Sequence, residues 1–326
     1  MKAIRVEVTG GPEVLRIEDI PDPIPAANEA LVRIEAVGVN FIETYQRSGL
    51  YQMSLPMTPG SEAAGEIVGF GAEDPADFKI GDRVAWQGSP GAYAELAKVA
   101  LDRLVKIPDG VTTEQAAAVM LQGMTAHYLA TTTYPLKAGD VCLIQAAAGG
   151  VGLLFCQIAS RIGARVIGTT STPEKAALAR AAGAETIIDY TKQDFAEEIR
   201  RLTNGAGVNV VYDSVGKTTW EKSSDCLKPL GMLVLFGNSS GPVPPIDPLL
   251  LARKGSLFLT RPTLVNYTAT RSDLLLRANA ILDAVASGDL KVRIEKIFPL
   301  AQAAEAHALL ESRKTAGKLI LKPFMR

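Results

Sequence analysis

The chain begins with short apolar stretches rather than long ones. Ala3–Val8, Val14–Ile17, Ala30–Val39 and Gly65–Gly71 carry Val and Ile, and Gly10-Gly11-Pro12 and Pro21-Asp22-Pro23 punctuate them. Short β-branched runs bounded by turn residues are the pattern of strands. Residues 1–100 are therefore predicted to form a barrel-like antiparallel domain, with Gly81-Asp82-Arg83-Val84 turning into a further strand. Near residue 112 the pattern changes. Thr112-Thr113-Glu114-Gln115 has the form of a helix start, and an Ala-rich segment follows through Ala118. Beyond residue 140, apolar strands alternate with helical segments. The strands are Val141–Ala146, Arg165–Thr169, Thr186–Tyr190, Val208–Tyr212, Met232–Phe236 and Ser256–Thr260, with helices near 150–162, 174–182, 192–203 and 219–228. Strands joined by crossover helices predict a doubly wound parallel sheet, an α/β fold class. A helix over 271–287, a strand Val292–Pro299, a helix over 301–312 and a strand Lys318–Lys322 then complete the first domain. The expected domains are 1–122 plus 266–326, and 123–265.

Composition adds exclusions. The 326 residues are 47% hydrophobic and 21% charged, with a net charge of −1. A large core is available, and no global field draws in nucleic acid or an anionic membrane. No apolar run reaches the length of about 18 residues that a membrane span needs. Cys142, Cys156 and Cys226 form no C-x-x-C pair and are expected to be buried thiols. The opening residues alternate like a strand and carry no basic-then-apolar leader, so a cytoplasmic location is expected.

The segment with the most chemistry is Val141 to Gly152. An apolar strand runs into Ala146-Ala147-Ala148-Gly149-Gly150-Val151-Gly152 and then into a helix. Gly149 and Gly152 fit the second and third glycines of G-x-G-x-x-G, and Ala147 stands where the first would be. Glycine lets the backbone approach a pyrophosphate, and the helix N-terminus offers free N–H groups and a positive dipole end. A dinucleotide site is predicted. An NAD site usually places an acid at the end of the second strand to bind the ribose 2′-hydroxyl. Here that end reads Gly168-Thr169-Thr170-Ser171-Thr172-Pro173-Glu174-Lys175. Small hydroxyls replace the acid, and Lys175 is a cation suited to a 2′-phosphate. NADPH is the expected cofactor, with Glu174 placed one residue into the helix.

These and other motifs carry a resemblance. Gly11-Pro12-Glu13-Val14-Leu15, Gly38-Val39-Asn40-Phe41-Ile42, Arg47-Ser48-Gly49-Leu50-Tyr51 and Gly60-Ser61-Glu62-Ala63-Ala64-Gly65 belong to the set. So do Ala146 to Gly152, Val211-Tyr212-Asp213-Ser214-Val215-Gly216, Phe236-Gly237-Asn238-Ser239-Ser240-Gly241 and Thr260-Arg261-Pro262. The chain resembles the zeta-crystallin-like quinone oxidoreductases of the medium-chain dehydrogenase/reductase superfamily, the bacterial members above all. The resemblance implies a GroES-like β-barrel-type domain completed by the C-terminus, a Rossmann domain, and a homodimer formed along the last Rossmann strand. It implies that Ile42 and Tyr45 line a nicotinamide pocket with Thr125 nearby, and that Gly149, Gly150 and Val151 meet the pyrophosphate. Ser171, Lys175 and Tyr190 would hold the adenosine phosphate end. Ser214, Phe236, Asn238 and Ser239 would line the cleft, and Arg261 would close over the cofactor. Core packing is the alternative reading of Phe236 and Tyr190.

Zinc members of this superfamily carry a Cys after the G-V segment and a His in G-H-E-x-x-G. Here those positions hold Asn40 or Phe41, and Ser61, and the chain has only His127 and His307. Three ligands of the usual kind do not assemble, so no metal is expected. Glu62 is expected to tie its loop by an ion pair or hydrogen bond. A quinone is already electrophilic, and a hydride needs only an acceptor held against the nicotinamide. Asn40, Tyr45 and Tyr51 are the polar candidates for orientation and proton supply, with packing the alternative for both tyrosines. Quinone reduction is the expected reaction. Reduction of an activated C=C bond in an enone, alkenal or enoyl thioester is the alternative, and a non-catalytic NADPH-binding protein is the alternative of another class.

Overall fold

The computed structural model describes residues 1–71, 75 and 77–325. In chain order the elements are β1 (Lys2–Arg5), β2 (Arg16–Asp19), β3 (Glu29–Val39), α1 (Phe41–Arg47), β4 (Glu62–Phe70), β5 (Arg83–Gln87), β6 (Leu96–Ala100), β7 (Val105–Lys106) and α2 (Thr113–Tyr128). Next come β8 (Val141–Ile144), α3 (Gly150–Ile162), β9 (Arg165–Thr170), α4 (Pro173–Ala181), β10 (Thr186–Asp189), α5 (Phe195–Leu202), β11 (Val208–Asp213) and α6 (Trp220–Asp225). The chain ends with β12 (Leu227–Leu235), α7 (Pro248–Arg253), β13 (Phe258–Thr260), α8 (Leu264–Tyr267), α9 (Arg271–Ala286), β14 (Ile294–Pro299), α10 (Ala303–Glu311) and β15 (Lys318–Lys322).

Two compact units result: Met1–Met124 with Thr268–Arg326, and Thr125–Tyr267. The crossings fall two residues on from positions 122 and 265, because α2 runs unbroken through the first and α8 ends at the second.

In the first unit, strands order as β14-β15-β3-β4-β5-β7, with β6 also paired to β3, and β1 and β2 form an antiparallel pair beside this sheet. β3 explains the arrangement. Ala30, Val32 and Ile34 are buried while Arg33 between them is exposed, the alternation of a half-covered strand. From Ala36 to Val39 every residue is buried, so the strand ends inside the unit and delivers Asn40 there. Trp86 and Tyr93 fill the same core beside Ile4, Ile67 and Leu319.

In the second unit the six strands are all parallel, in the order β10-β9-β8-β11-β12-β13. The doubly wound sheet is present, and the chain reverses direction of travel across it between β8 and β11. That is the switch point at which such sheets bind ligands. α3 buries Leu153, Leu154, Phe155, Cys156 and Ala159, and ends at Gly163, whose φ of 89° is the left-handed cap that glycine adopts without steric cost. The three cysteines are buried and unpaired. Burial pushes all three thiols up, Cys156 to about 12.

Several expected elements move. The strand expected at Val14–Ile17 begins at Arg16, because Pro12 opens a 3-10 turn over Pro12–Val14. β6 and α7 appear where no element is predicted; α7 is capped by Asp247, whose carboxylate accepts from Leu249 N at 2.9 Å, with Pro248 at its first position. The segment after Asn40, where no element is predicted, is helix α1.

Candidate active site

The first unit holds Asn40 at the start of α1, Ile42 and Tyr45 on it, and Tyr51 after it. Asn40 caps the helix in an extended conformation, and Glu43 reaches back to its backbone N–H, with Oε2 accepting at 2.7 Å. The other oxygen of Glu43 accepts from Ser61 N at 3.0 Å. One carboxyl thus ties the start of α1 to the residue ahead of β4. Ile42 is half-buried and Tyr45 is buried. Tyr51 N donates to Tyr45 O at 3.0 Å, and the two rings meet edge to face at 5.3 Å between centroids.

Asn40 is not an open donor. It is 4% exposed. Its Nδ2 donates to Glu62 Oε1 at 2.7 Å and to Gly38 O at 3.4 Å, and its Oδ1 accepts from Lys318 Nζ at 2.7 Å and Gln122 Nε2 at 3.1 Å. The amide is committed on both sides, so its geometry suits positioning rather than contact with an acceptor. Glu62 is fully buried. It takes the Lys318 ammonium on Oε1 and Leu121 N on Oε2 at 2.5 Å, the tie expected of it. Gly38 is required here, since a Cβ would lie 2.2 Å from Glu62 Oε1. Sequence reasoning passed over Glu43, Gln122 and Lys318. The N-x-x-E spacing of Asn40 and Glu43 is a visible capping signal, but Lys318 lies 256 residues from Glu62 and carries no local one.

Burial raises the Glu43 carboxyl to about 7, Glu62 adds to the rise, and Ser61, Lys318 and Asn40 oppose it. His307, on α10, faces Tyr93 Oη at 2.9 Å and Arg47 Nη1 at 3.5 Å. Burial, with the Arg47 charge, lowers it to about 3. Among the described residues no three His, Cys, Asp or Glu side chains group to hold a metal. The residues set against the zinc branch's ligands are Asn40, bonded to a lysine ammonium, or Phe41, and Ser61. These residues do not fit a zinc ion.

In the second unit, Gly149 caps α3, with Gly150 and Val151 as its first residues, all half-buried. Ahead of them Ala146 has φ 55°, a left-handed conformation that costs a non-glycine residue about 1–2 kcal/mol. A Cβ on Gly152 would lie 2.4 Å from Ala146 O, so the turn passes the helix only with glycine there. Ala147 in place of the first glycine has a physical counterpart across the sheet. A Cβ on Gly168 of β9 would lie 2.5 Å from Ala147 Cβ, so the missing methyl on β9 makes room for the extra one on the loop.

At the end of β9, Ser171 is half-buried and the Thr170 hydroxyl is buried with no partner. Thr172 caps α4, and its Oγ1 accepts from Lys175 N at 3.3 Å, which puts Lys175 in the first turn. Glu174 is exposed, and its own backbone N–H and Thr172 hold its carboxyl below the usual range. Tyr190 follows β10 and is 47% exposed, so core packing is not its role. The nearest acid in register is Asp189, opposite Thr170, and Thr191 Oγ1 occupies it at 2.6 Å. Ser214, Phe236, Asn238 and Ser239 are half-buried in the loops after β11 and β12, which bind each other: Ser239 N donates to Ser214 O at 3.3 Å and Phe236 N to Asp213 O at 2.8 Å. Arg261 is exposed just after β13, and Thr125 is buried in α2. Gly149, Ser171, Tyr190, Ser214, Phe236 and Arg261 thus lie just beyond the C-terminal ends of the parallel strands.

Comparison with known proteins decides the family. The zinc-binding dehydrogenase family model matches residues 150–273, and the alcohol dehydrogenase GroES-like domain matches residues 26–109. The chain is 49% identical to a quinone oxidoreductase of Pseudomonas aeruginosa over 324 residues, 99% of each chain. This chain is a quinone oxidoreductase-family member of the medium-chain dehydrogenase/reductase superfamily. A crystal structure of the Escherichia coli quinone oxidoreductase complexed with NADPH superposes with a TM-score of 0.96 at 44% identity, covering 99% of this chain and 100% of that one. A 2-haloacrylate reductase of Burkholderia sp is 42% identical, covering 96% of each. The family carries both domains found here, GroES-like and Rossmann-type, and no helix of the described residues is long and apolar enough to cross a membrane.

Proposed function

We propose that this protein is an NADPH-dependent quinone reductase that works without a metal. The observation that carries the reading is the full-length match to relatives of that name, one of them solved with NADPH, over a second-strand end that offers hydroxyls and Lys175 in place of an acid. Gly149, Gly150 and Val151 hold the pyrophosphate on the α3 N-terminus. Ser171, Lys175 and Tyr190 take the adenosine phosphate, with Lys175 as the cation for the 2′-phosphate. Ile42, Tyr45, Thr125, Ser214, Phe236, Asn238, Ser239 and Arg261 complete the cofactor set. When bound, NADPH supplies a hydride from its nicotinamide ring.

A quinone that gains electrons gains negative charge on oxygen, so the residues beside it need to donate. Tyr51 is half-buried and is assigned to give its phenolic proton toward that oxygen. Tyr45 backs it through the ring contact, and Asn40 fixes the start of the helix that carries Tyr45. Turnover of 1,4-benzoquinone and 9,10-phenanthrenequinone by chelator-treated protein, with NADPH preferred over NADH, tests the reading. The name of the Burkholderia relative favours a second one, reduction of an activated C=C bond, which an enone in the same panel tests. Tight NADPH binding without turnover would favour a non-catalytic role.

A homodimer through β13 is part of the same proposal. β13 is an outer strand of its sheet, and Phe258 on it is 56% exposed, an apolar edge that needs covering. Sedimentation of Phe258→Asp should then report a smaller species than wild type; an unchanged species rejects that edge. Three buried, unpaired cysteines support a reducing, cytoplasmic location.

A further inference from the structure

We propose that a buried hydrogen-bond relay through Thr169, Gln145, Ser223 and Asp213 couples the glycine-rich loop after β8 to the loop after β11, so that the two sides of the cofactor cleft are set together. The inference rests on the cofactor reading above and adds four buried residues to it.

The chain of bonds is continuous. Ala146 N donates to Thr169 Oγ1 at 3.2 Å, and Thr169 Oγ1 donates to Gln145 Oε1 at 2.6 Å. Gln145 Nε2 donates to Ser223 Oγ at 3.2 Å, and Ser223 Oγ donates to Asp213 Oδ2 at 2.7 Å. The other oxygen, Oδ1, accepts from Val215 N at 2.8 Å, Gly216 N at 3.0 Å and Thr219 Oγ1 at 2.9 Å. Its ends fix its direction. A backbone N–H only donates, and a carboxylate met by four donors only accepts, so each hydroxyl and the amide between them has one orientation. Chains with a single sense polarise one another and are costly to break inside a protein.

Burial and placement argue for a role beyond packing. Thr169, Gln145, Ser223 and Asp213 are between 0% and 3% exposed, in positions where apolar residues would serve a core. Thr169 lies on β9, Gln145 directly follows β8, Asp213 ends β11 and Ser223 lies on α6, so the relay crosses three neighbouring strands at the switch point. One end holds the N–H of Ala146, the left-handed residue that launches the phosphate loop. Thr169 O also accepts Ala147 N at 3.0 Å, so one residue grips two successive loop amides. The other end holds the two amides that follow Ser214. Thr169, Gln145, Ser223 and Asp213 are positioning residues.

The test is a double-mutant cycle read by the NADPH dissociation constant of the whole protein, with the melting temperature recorded alongside. Thr169→Val and Ser223→Ala each cut the relay once. Each should weaken NADPH roughly five-fold, and the double variant should be no weaker than roughly five-fold, because the relay is already cut. Thr169→Ser should restore near wild-type affinity. A double variant weakened by the product of the single effects, or singles that lower the melting temperature and leave the dissociation constant unmoved, would overturn the relay. If Thr169→Val does not fold, Gln145→Met with Ser223→Ala completes the same cycle. Wild-type protein that binds no NADPH would overturn the cofactor reading and the relay together; wild-type binding with independent variants overturns the relay alone.

Discussion

Replacing Glu43 by glutamine should make the protein progressively more stable relative to wild type as pH rises from mild acid to alkali. Glu43 is fully buried, and its carboxyl rises from 4.5 to about 7 chiefly because burial penalises the charge. A carboxyl whose folded value lies above its unfolded one contributes fully below the unfolded value. That contribution is lost as pH rises through the folded value. At about 1.4 kcal/mol for each pH unit of displacement, the loss between about pH 4.5 and pH 7 comes to about 3 kcal/mol. Glutamine is neutral at every pH and keeps one acceptor oxygen, so its NH2 meets either Ser61 N or Asn40 N donor to donor, a penalty that does not vary with pH. The stability of the variant relative to wild type should therefore rise by about 3 kcal/mol between about pH 4 and about pH 8.5. His307 titrates with the opposite sign. Its value is lowered from 6.5 to about 3, so its contribution is present above 6.5 and lost as pH falls toward 3. The assay is urea unfolding of both proteins across this range. Only the difference between the two curves reports Glu43, since His307 is common to both. A difference that stays flat from mild acid to alkali would refute the reasoning, and would mean that Lys318 and the two backbone donors outweigh burial.

Three further variants probe the second unit and the α1 segment. Lys175→Ala should raise the KM for NADPH about ten-fold and leave that for NADH nearly unchanged, as one charge-assisted phosphate contact is removed; steady-state kinetics with both cofactors check this, and an equal effect on both removes the 2′-phosphate role. Gly168→Ala should lower stability by about 1–3 kcal/mol through overpacking against Ala147, and adding Ala147→Gly should recover most of it. Thermal melts of the single and double variants decide, with no recovery breaking the pairing of the two positions. Tyr51→Phe should lower kcat roughly ten-fold with NADPH affinity retained, the mark of a lost transition-state donor; an unaltered kcat takes Tyr51 out of proton supply.

What the sequence makes legible follows physical range. The doubly wound sheet is readable because each apolar run and each helix declares itself within its own residues, and α3 occupies the predicted 150–162. The phosphate loop is readable because glycine is demanded by backbone clashes, as at Gly152. The absent acid after β9 is likewise a local fact. α1 is harder to see: it is seven residues long, and Phe41-Ile42-Glu43-Thr44-Tyr45 mixes aromatic and β-branched residues that favour strands. Its cap and the buried Glu43 carboxyl hold it, and only the N-x-x-E spacing hints at that. β2 shows little burial along its length, so no alternation marks its register. The networks around Asn40 and Asp213 are the least legible. Asn40 reads as a polar candidate for orientation and proton supply, and only the fold reveals that Lys318, Glu62 and Gln122 already occupy it. Gln145 looks like a strand end until β9 and α6 bring Thr169 and Ser223 to either side.

The central claim is metal-free transfer of reducing equivalents from NADPH to a quinone. The measurement that tests it most directly is the rate of NADPH oxidation by chelator-treated protein with 1,4-benzoquinone and 9,10-phenanthrenequinone, beside an enone and an NADH control. The account predicts turnover of the quinones, faster with NADPH than with NADH and undiminished by the chelator. No quinone turnover, or activity that disappears with the chelator and returns with zinc, would contradict it.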